Sequence, residues 1–284
     1  MRVKLPVCTV ALCLVAACGG DNTASTVEAP GAPPDARTRT LEAGAAILQD
    51  KAPLDALDSY VDGFHFANGD LERQVEAHHY CSSLTSDVRQ CVIFDGNGRD
   101  AKLTGVEYIV SRRVFESLPV EERKLWHSHG YEVTSGLLVA PGIPDVAEHE
   151  LMEDLAGTYG KTWHTWHTGQ GHALPTGHPL LMAGFTADGQ VDDELVAARD
   201  RRFSLATGDK RKLREDIRVP DVIEGADAWQ QGEVLQLRLH SSAPAGDVRP
   251  LPQTGREDAS GEPTRKLRPH KLRELYANLG RDDG

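Results

Sequence analysis

Side chains that could bind a metal ion concentrate in two polar stretches of the chain. The first stretch contains His79 and Cys81, and the second contains His127 and His129. Residues two apart share one face of a β-strand, so each stretch presents a pair of ligands. Imidazole and thiolate groups are common ligands of transition metals, and two such pairs on neighbouring strands complete a four-ligand site. The spacing therefore indicates a divalent metal ion held between two strands.

Other side chains could complete this site. Glu132 lies three residues after His129, and His164 lies in a later stretch rich in tryptophan. Glu107 interrupts the apolar run at residues 106–110, and a buried carboxylate needs a cation, a metal ion or several hydrogen-bond donors. The candidate ligands are His79, His127 and His129, with Glu132, Cys81 or His164 completing the shell. A bound divalent transition metal could activate water for hydrolysis.

The same residues also fit a core without metal. Strand histidines often hydrogen-bond to carboxylates or to the backbone, and Glu107 could pair with Arg73, Arg89 or Arg112 across the sheet. Two histidines two residues apart are a less specific signature than paired CxxC motifs or HExxH. The sequence has no G-x-S-x-G elbow, which removes the usual serine-hydrolase interpretation. A metal-dependent enzyme and a structural histidine cluster both remain open.

Cys81 and Cys91 are the two cysteines outside the N-terminal region. If residues 80–84 and 90–95 are the arms of a hairpin, the two thiols lie opposite each other, and an oxidising compartment would allow them to pair. Strand neighbours often fail the geometry that a disulfide demands. A disulfide, two reduced buried thiols and a metal-ligating Cys81 are all compatible with the pattern.

The N-terminus predicts the location of the protein. A short basic start and an apolar run precede small residues and then Cys18, which is typical of a bacterial lipoprotein signal. Residues 1–17 are predicted to be a signal peptide, and Cys18 would carry the lipid that anchors the chain in the membrane of the bacterial cell envelope. Residues 18–37 have the composition of a disordered tether. An ordinary signal peptide or a short membrane anchor is the alternative.

The net charge excludes one class of partner. The 284-residue chain has a formal net charge of −12, whereas nucleic-acid binding needs a basic stripe that neutralises phosphates. We therefore expect no nucleic-acid partner. The 39% hydrophobic content lies in the range of globular proteins, so the chain can form a sizeable core.

Hydrophobic periodicity predicts one α+β domain at residues 38–216, with a mainly antiparallel sheet covered by helices. The predicted strands are residues 80–84, 90–95, 103–110, 133–139, 162–168, 180–186 and 234–239. The predicted helices are residues 41–48, 54–61, 111–118 and 192–203, with two more beginning after Pro119 and at an Asp145 N-cap that Glu148 completes as a capping box. Residues 217–284 are expected to be a largely disordered tail. Its amphipathic helix at residues 272–279 would dock onto the domain or lie on a membrane surface.

Several ordered matches, all within residues 64–216, resemble the oil-body-associated protein family. They are residues 64–65, 73–81, 87–91, 105–109, 125–129, 131–133, 135–138 and 159–162. The resemblance implies association with lipid bodies or lipid handling, and it implies no catalytic mechanism. We therefore expect a lipid-associated or ligand-binding protein whose partners are the membrane and a lipid or another small apolar ligand. The alternative is a hydrolase-like metal enzyme that uses His79, His127 and His129.

Overall fold

The computed structural model describes residues 23–239. The predicted signal peptide, Cys18 and the predicted helix at residues 272–279 lie outside that range. Between residues 23 and 239, no helix is both long enough and apolar enough to cross a bilayer.

Seven strands of the described chain form one antiparallel sheet. They are β1 (Ser59–Ala67), β2 (Asp70–Thr85), β3 (Val88–Phe94), β4 (Leu103–Val110), β5 (His127–Ser128), β6 (Tyr159–His164) and β7 (Leu180–Ala183). The order is β4-β3-β2-β1-β7-β6-β5, and β4 also pairs with β6. Six strands therefore close into a barrel, and the two-residue strand β5 pairs with β6.

The two faces of the barrel wall carry different residues because side chains alternate along a strand. In β1, Val61, Gly63 and His65 line one small interior cavity. Phe64 and Phe66 point to the other face, where they pack in a separate apolar cluster. The polar side chain of His65 is therefore directed inward between two outward phenylalanines.

Eight α-helices accompany the barrel in the described chain. They are α1 (Ala36–Leu48), α2 (Ala52–Asp55), α3 (Arg112–Ser117), α4 (Val120–Arg123), α5 (Gly130–Thr134), α6 (Asp145–Leu155), α7 (Asp193–Phe203) and α8 (Thr207–Leu213). Val133 of α5 and Met152 of α6 pack with Ile109 of β4 in the interior cluster. Leu195 of α7 packs with Phe64 on the outer face.

The predicted α+β class is confirmed. The strands predicted at residues 80–84, 90–95 and 103–110 lie within β2, β3 and β4 or extend them by one residue, and the helices predicted at 111–118 and 192–203 contain α3 and α7. Asp192 is the N-cap of α7 and accepts a hydrogen bond from the Glu194 N–H. Closure into a barrel is not indicated by the sequence, because it depends on the pairing of β4 with the distant β6.

The strand predicted at residues 133–139 is wrong. The helix α5 extends to Thr134, and a single β-bridge joins Val139 to Asp62. The buried Arg214 guanidinium donates to the carbonyl oxygens of Val133 at 2.8 Å and Leu138 at 2.7 Å. These bonds satisfy backbone carbonyls that a strand would pair with a neighbour.

Two other boundaries differ from prediction. The helix predicted at residues 54–61 does not continue to residue 61, because β1 begins at Ser59. Pro144, and not Asp145, is the N-cap of α6. Glu148 does not complete a capping box, because its carboxylate accepts from the Ala140 N–H at 2.8 Å and pairs with Lys210.

The strand predicted at residues 234–239 is replaced by side-chain pairing. The Leu181 N–H donates to Gln236 Oε1, and Gln236 Nε2 donates to the Leu181 carbonyl, each at 2.9 Å. One amide side chain thus makes the two bonds that a strand backbone would make. The packed body also extends past the predicted boundary at residue 216, since Ile217, Ala226 and Ala228 are buried.

Part of the predicted tether contacts the barrel. The Thr23 N–H donates to Asn97 Oδ1 at 2.7 Å, and the Asn97 N–H donates back to the Thr23 carbonyl at 3.2 Å. Ser25 Oγ donates to Asp95 Oδ2 at 2.7 Å. These bonds hold the segment that begins at Thr23 on the turn between β3 and β4.

Candidate metal centre inside the barrel

Seven buried ionisable side chains meet inside the barrel, and we call them the barrel cluster. They are His65 of β1, His79 of β2, Glu107 of β4, His127 of β5, His129 at the start of α5, Glu132 of α5 and His164 of β6. Each is at most 4% exposed, so water does not screen their interactions.

The Glu107 carboxylate lies at the centre of the barrel cluster. Its Oε2 is 3.0 Å from Nε2 of His79. Its Oε1 is 3.3 Å from Nε2 of His129 and 3.4 Å from Nε2 of His127. One carboxylate therefore contacts three imidazoles, one from β2 and two from the short segment at residues 127–129.

The remaining members extend this centre in two directions. Glu132 Oε2 lies 3.9 Å from Nε2 of His127. His65 Nδ1 lies 3.5 Å from Nε2 of His164, and the ring of His65 is 5.0 Å from the ring of His79. A cavity of about 20 Å³ lies beside His65, His79 and Glu107, which is room for one water molecule or ion.

Two glycines make room for these side chains. A Cβ atom at Gly160 of β6 would overlap Glu107 Oε1 and would lie 2.7 Å from Nε2 of His129. A Cβ atom at Gly184 would lie 2.7 Å from Oε2 of Glu132 and 2.9 Å from Cδ2 of His127. Real Cβ atoms do not approach other atoms so closely, so a side chain at either position would displace the cluster.

Some cluster nitrogens lack directed hydrogen bonds. Neither ring nitrogen of His79 or of His127 has a hydrogen-bond partner within the described chain, although both Nε2 atoms lie near Glu107. A buried polar group without a partner costs about 1–3 kcal/mol. By contrast, Nδ1 of His129 lies 2.8 Å from Thr158 Oγ1, which orients Nε2 toward Glu107. A bound cation would give one nitrogen of each ring a partner, because the two nitrogens of an imidazole point in different directions.

The barrel cluster contains one ion pair, formed by Glu107 and His127. Burial alone would raise the pKa of the Glu107 carboxyl, but contacts with His127, His129 and His79 outweigh it and hold that pKa well below its usual range. Burial alone would lower the pKa of His127, but Glu107 and Glu132 outweigh it and raise that pKa to about 9. The buried pair is therefore a Glu107 carboxylate and a His127 imidazolium.

Burial favours the neutral form of four further cluster members. Burial raises the pKa of Glu132 to about 8. Burial, together with the neighbouring His79, lowers the pKa of His164 to about 3 and that of His65 well below its usual range. Burial also lowers the pKa of His129. Neutral imidazoles are the form that binds metals.

The donor set suits a transition metal. His65, Glu107 and His127 offer ligand atoms within 4.8 Å of one another, and so do His127, His129 and Glu132. Nitrogen ligands with one or two carboxylates are typical of zinc and of other divalent first-row metals. The site is enclosed, so it admits an ion or a water molecule but no larger substrate.

The structure brings most of the predicted ligands together. His79, His127, His129, Glu132 and His164 all belong to the barrel cluster, and Glu107 is its buried carboxylate. Cys81 does not, because its sulfur is joined to that of Cys91, directly opposite on β3. A disulfide sulfur cannot act as a thiolate ligand. Cys81 is therefore removed from the candidate metal ligands.

The three arginines considered as partners of Glu107 lie near other carboxylates. Arg73 pairs with Asp70, Arg112 pairs with Glu116, and Arg89 lies 3.9 Å from Asp154. His79, His127 and His129 therefore contact Glu107 in place of an arginine.

His65 is the cluster member that sequence reasoning missed. It lies between Phe64 and Phe66, whose bulk indicates an ordinary core strand. The alternation of side chains along a β-strand could have identified His65, since it places this residue on the face opposite to both phenylalanines.

Comparison with known proteins identifies a matching family and relatives that match over most of their length. The family model described as "Protein of unknown function (DUF1264)" matches residues 51–218, which include the whole barrel cluster. Oil body-associated protein 1A from Zea mays is 41% identical over 228 residues, which cover 78% of this chain and 96% of that protein. Oil body-associated protein 1B from Arabidopsis thaliana is 36% identical over 234 residues, which cover 82% of this chain and 95% of that protein. No solved structure matches the chain.

Proposed function

Because the chain belongs to the DUF1264 family together with the oil body-associated proteins, we propose that it is a lipid-associated protein of the bacterial cell envelope. The observation that carries this proposal is the extent of the match to plant relatives whose names associate them with oil bodies. The lipoprotein-type start of the sequence supports a membrane as the lipid surface in this case, with Cys18 as the lipidated residue.

Flotation with phospholipid vesicles tests this proposal. Full-length protein from a bacterial host is expected to float with the vesicles, and its N-terminal peptide is expected to carry lipid on Cys18 by mass spectrometry. A Cys18→Ala variant separates the anchor from the rest of the protein: loss of flotation assigns binding to the anchor, and residual flotation assigns binding to the folded body. Wild-type protein that stays soluble and carries no lipid would contradict the proposal.

A second function is favoured by a specific observation. We propose that the barrel cluster binds a divalent transition metal ion, because His79 and His127 are buried without directed hydrogen bonds in the described chain and two sets of ligand atoms in the cluster lie within 4.8 Å of one another. His127 would hold the ion together with His65 and Glu107 or together with His129 and Glu132, and His79 would support the site through its contact with Glu107. A bound ion could supply the charge that activates water. The enclosed cavity supports a metal-stabilised core, and hydrolysis of a substrate would require the barrel to open.

Calorimetric titration of chelator-treated protein tests metal binding. We expect one site that binds Zn²⁺ or another divalent first-row metal and that disappears in a His79→Ala, His127→Ala double variant. His149→Ala is the matched control, since this histidine lies on α6 and pairs with Asp216 away from the cluster. Equal metal affinity in all three proteins would show that the barrel cluster is not the site.

A further inference from the structure

We propose that one wall of the barrel, formed by β2, β3 and α2 beside the β3–β4 turn, rests on the surface of a phospholipid membrane. This inference deepens the proposed lipid association and rests on it, because it takes Cys18 as the anchored residue. It assigns an orientation of the barrel on the membrane, whereas lipid association alone does not determine that orientation.

The attachment of Thr23 limits how far the barrel can move from the anchor. The Thr23 N–H bonds to Asn97 Oδ1, and its carbonyl accepts from the N–H groups of Asn97 and Gly98. A Cβ atom at Gly96 would overlap the same carbonyl, so glycine permits this close approach. An extended chain spans at most about 3.6 Å per residue, so Cys18 lies within about 18 Å of Thr23. The β3–β4 turn must therefore stay close to a membrane that holds Cys18.

An apolar groove lies next to this turn. It has a volume of about 340 Å³, and most of its lining is apolar. Its lining includes Leu54 and Leu57 from the α2 region, Tyr80 of β2, and Val92 and Phe94 of β3.

Exposed apolar side chains also lie in α2 and in the chain before it. Leu54 is 62% exposed, and α1, which three residues separate from α2, exposes Ile47 by 84% and Leu48 by 79%. Apolar side chains grouped on a surface are typical of sites that contact membranes or other proteins. Arg99, an exposed cation that also lines the groove, suits the phosphate of a lipid headgroup.

The anchor distance favours a membrane over a protein partner as the occupant. A lipidated Cys18 keeps Thr23 within about 18 Å of the membrane, since five residues span no more than that, so the neighbouring groove meets the membrane at a high effective concentration. Apolar side chains that reach a membrane surface enter the boundary between headgroups and acyl chains. The groove and Leu54 supply such side chains beside the turn that the anchor holds near the membrane.

Tryptophan reporters test the orientation. Full-length lipidated Leu54→Trp protein is reconstituted into phosphatidylcholine vesicles with and without brominated acyl chains, which quench tryptophan on contact. Val120→Trp is the matched control, because Leu54 and Val120 each lie in a four-residue helix and are 62% and 50% exposed. Val120 belongs to α4, which lies near a different apolar cluster that contains Trp126 and Tyr159.

The expected result is that the added fluorescence of Leu54→Trp is largely lost in brominated vesicles, whereas that of Val120→Trp is retained. Wild-type protein supplies the background from the native tryptophans. Equal quenching of both variants, or stronger quenching of Val120→Trp, would overturn the orientation while leaving lipid association intact. Failure of the wild-type protein to remain on vesicles would contradict the proposed function and this inference together.

Discussion

Oε2 of Glu107 lies 3.0 Å from Nε2 of His79, although β3 separates their two strands in the barrel wall. The contact is possible because both side chains point into a closed interior. His127 of β5 and His129 at the start of α5 contact the second oxygen of the same carboxylate. Neither residue belongs to the six strands that close the barrel. Glu107 is thus the group on which the proposed metal site depends most.

Replacing Glu107 by glutamine keeps the size of the side chain and removes its charge. We expect metal affinity to fall by about tenfold or more, as is usual when a group that orients or binds a metal is lost. We also expect the pKa of His127, raised to about 9 beside Glu107, to fall. Calorimetric titration and histidine NMR titration measure the two effects. Glu116→Gln, at an exposed position, is the control, and an unchanged affinity in Glu107→Gln would count against the site.

Gly160→Ala is expected to disturb the cluster through volume alone. Its new Cβ would overlap Glu107, so the carboxylate and His129 must shift. Overpacking of this kind costs about 1–3 kcal/mol in unfolding free energy. Urea denaturation measures this loss, and metal titration should show weaker binding. Gly208→Ala in α8 is the control, because no heavy atom lies within 4 Å of its added Cβ, and it should be neutral or stabilising. Equal stability of the two variants would refute the steric argument.

Arg199 is a buried cation on which a second polar network depends. Its Nη1 donates to the Leu137 carbonyl at 2.9 Å and lies 3.4 Å from Asp62 Oδ1, and its Nε donates to Asp200 at 2.9 Å. Arg199→Met should lower the unfolding free energy by about 3–5 kcal/mol, because it leaves the buried Leu137 carbonyl and the side chains of Asp62 and Asp200 without their donor. Denaturant unfolding measures the loss. Arg201→Met on the exposed face of α7 should change little, and a similarly small effect at Arg199 would contradict the prediction.

Acid is expected to destabilise the metal-free protein. Burial lowers the pKa values of His65, His129 and His164 below 6.5, the last to about 3, so the unfolded chain binds more protons as the pH falls below 6.5. Their stabilising contribution is complete above pH 6.5 and is lost as the pH falls through the folded pKa values, by about 1.4 kcal/mol per pH unit for each proton. Burial also raises the pKa of three carboxyl groups, Glu132 to about 8 together with Asp62 and Asp227, and these groups oppose the trend because the folded chain binds their protons first as the pH falls.

Denaturant unfolding from pH 7 to pH 4 checks this prediction. His164→Gln should reduce the slope of the unfolding free energy against pH by the amount that corresponds to one bound proton, about 1.4 kcal/mol per pH unit. His149→Gln, on the surface of α6, should have a smaller effect on the slope. A wild-type stability that is constant or rises toward pH 4 would contradict the prediction.

The sequence predicted the members of the site better than their arrangement. The two histidine pairs and the carboxylate at Glu107 stand out because polar residues interrupt strand patterns. His65 was hidden because its neighbours Phe64 and Phe66 are apolar, and they face outward from a wall that also has a packed outer layer. Cys81 fits a ligand position by spacing, but the neighbouring strand β3 places Cys91 opposite it and the two form a disulfide.

The fold could be predicted where its contacts are local. Hairpins and capped helices depend on nearby residues, so β3, β4 and α7 were predicted nearly in place, whereas the strand predicted at residues 80–84 covers only the end of β2. Barrel closure depends on pairing between β4 and β6, which lie far apart in sequence. The false strand at residues 133–139 has the same cause, since the distant Arg214 takes its carbonyl oxygens.

Elemental analysis of the full-length protein tests the metal proposal most directly. Protein purified without chelators or a histidine tag is expected to contain a divalent transition metal at close to one ion per chain. The His79→Ala, His127→Ala variant is expected to lack it, whereas His149→Ala retains it. Wild-type protein that is folded, remains metal-free and binds no added metal would contradict the account, and the barrel cluster would then be a purely structural core.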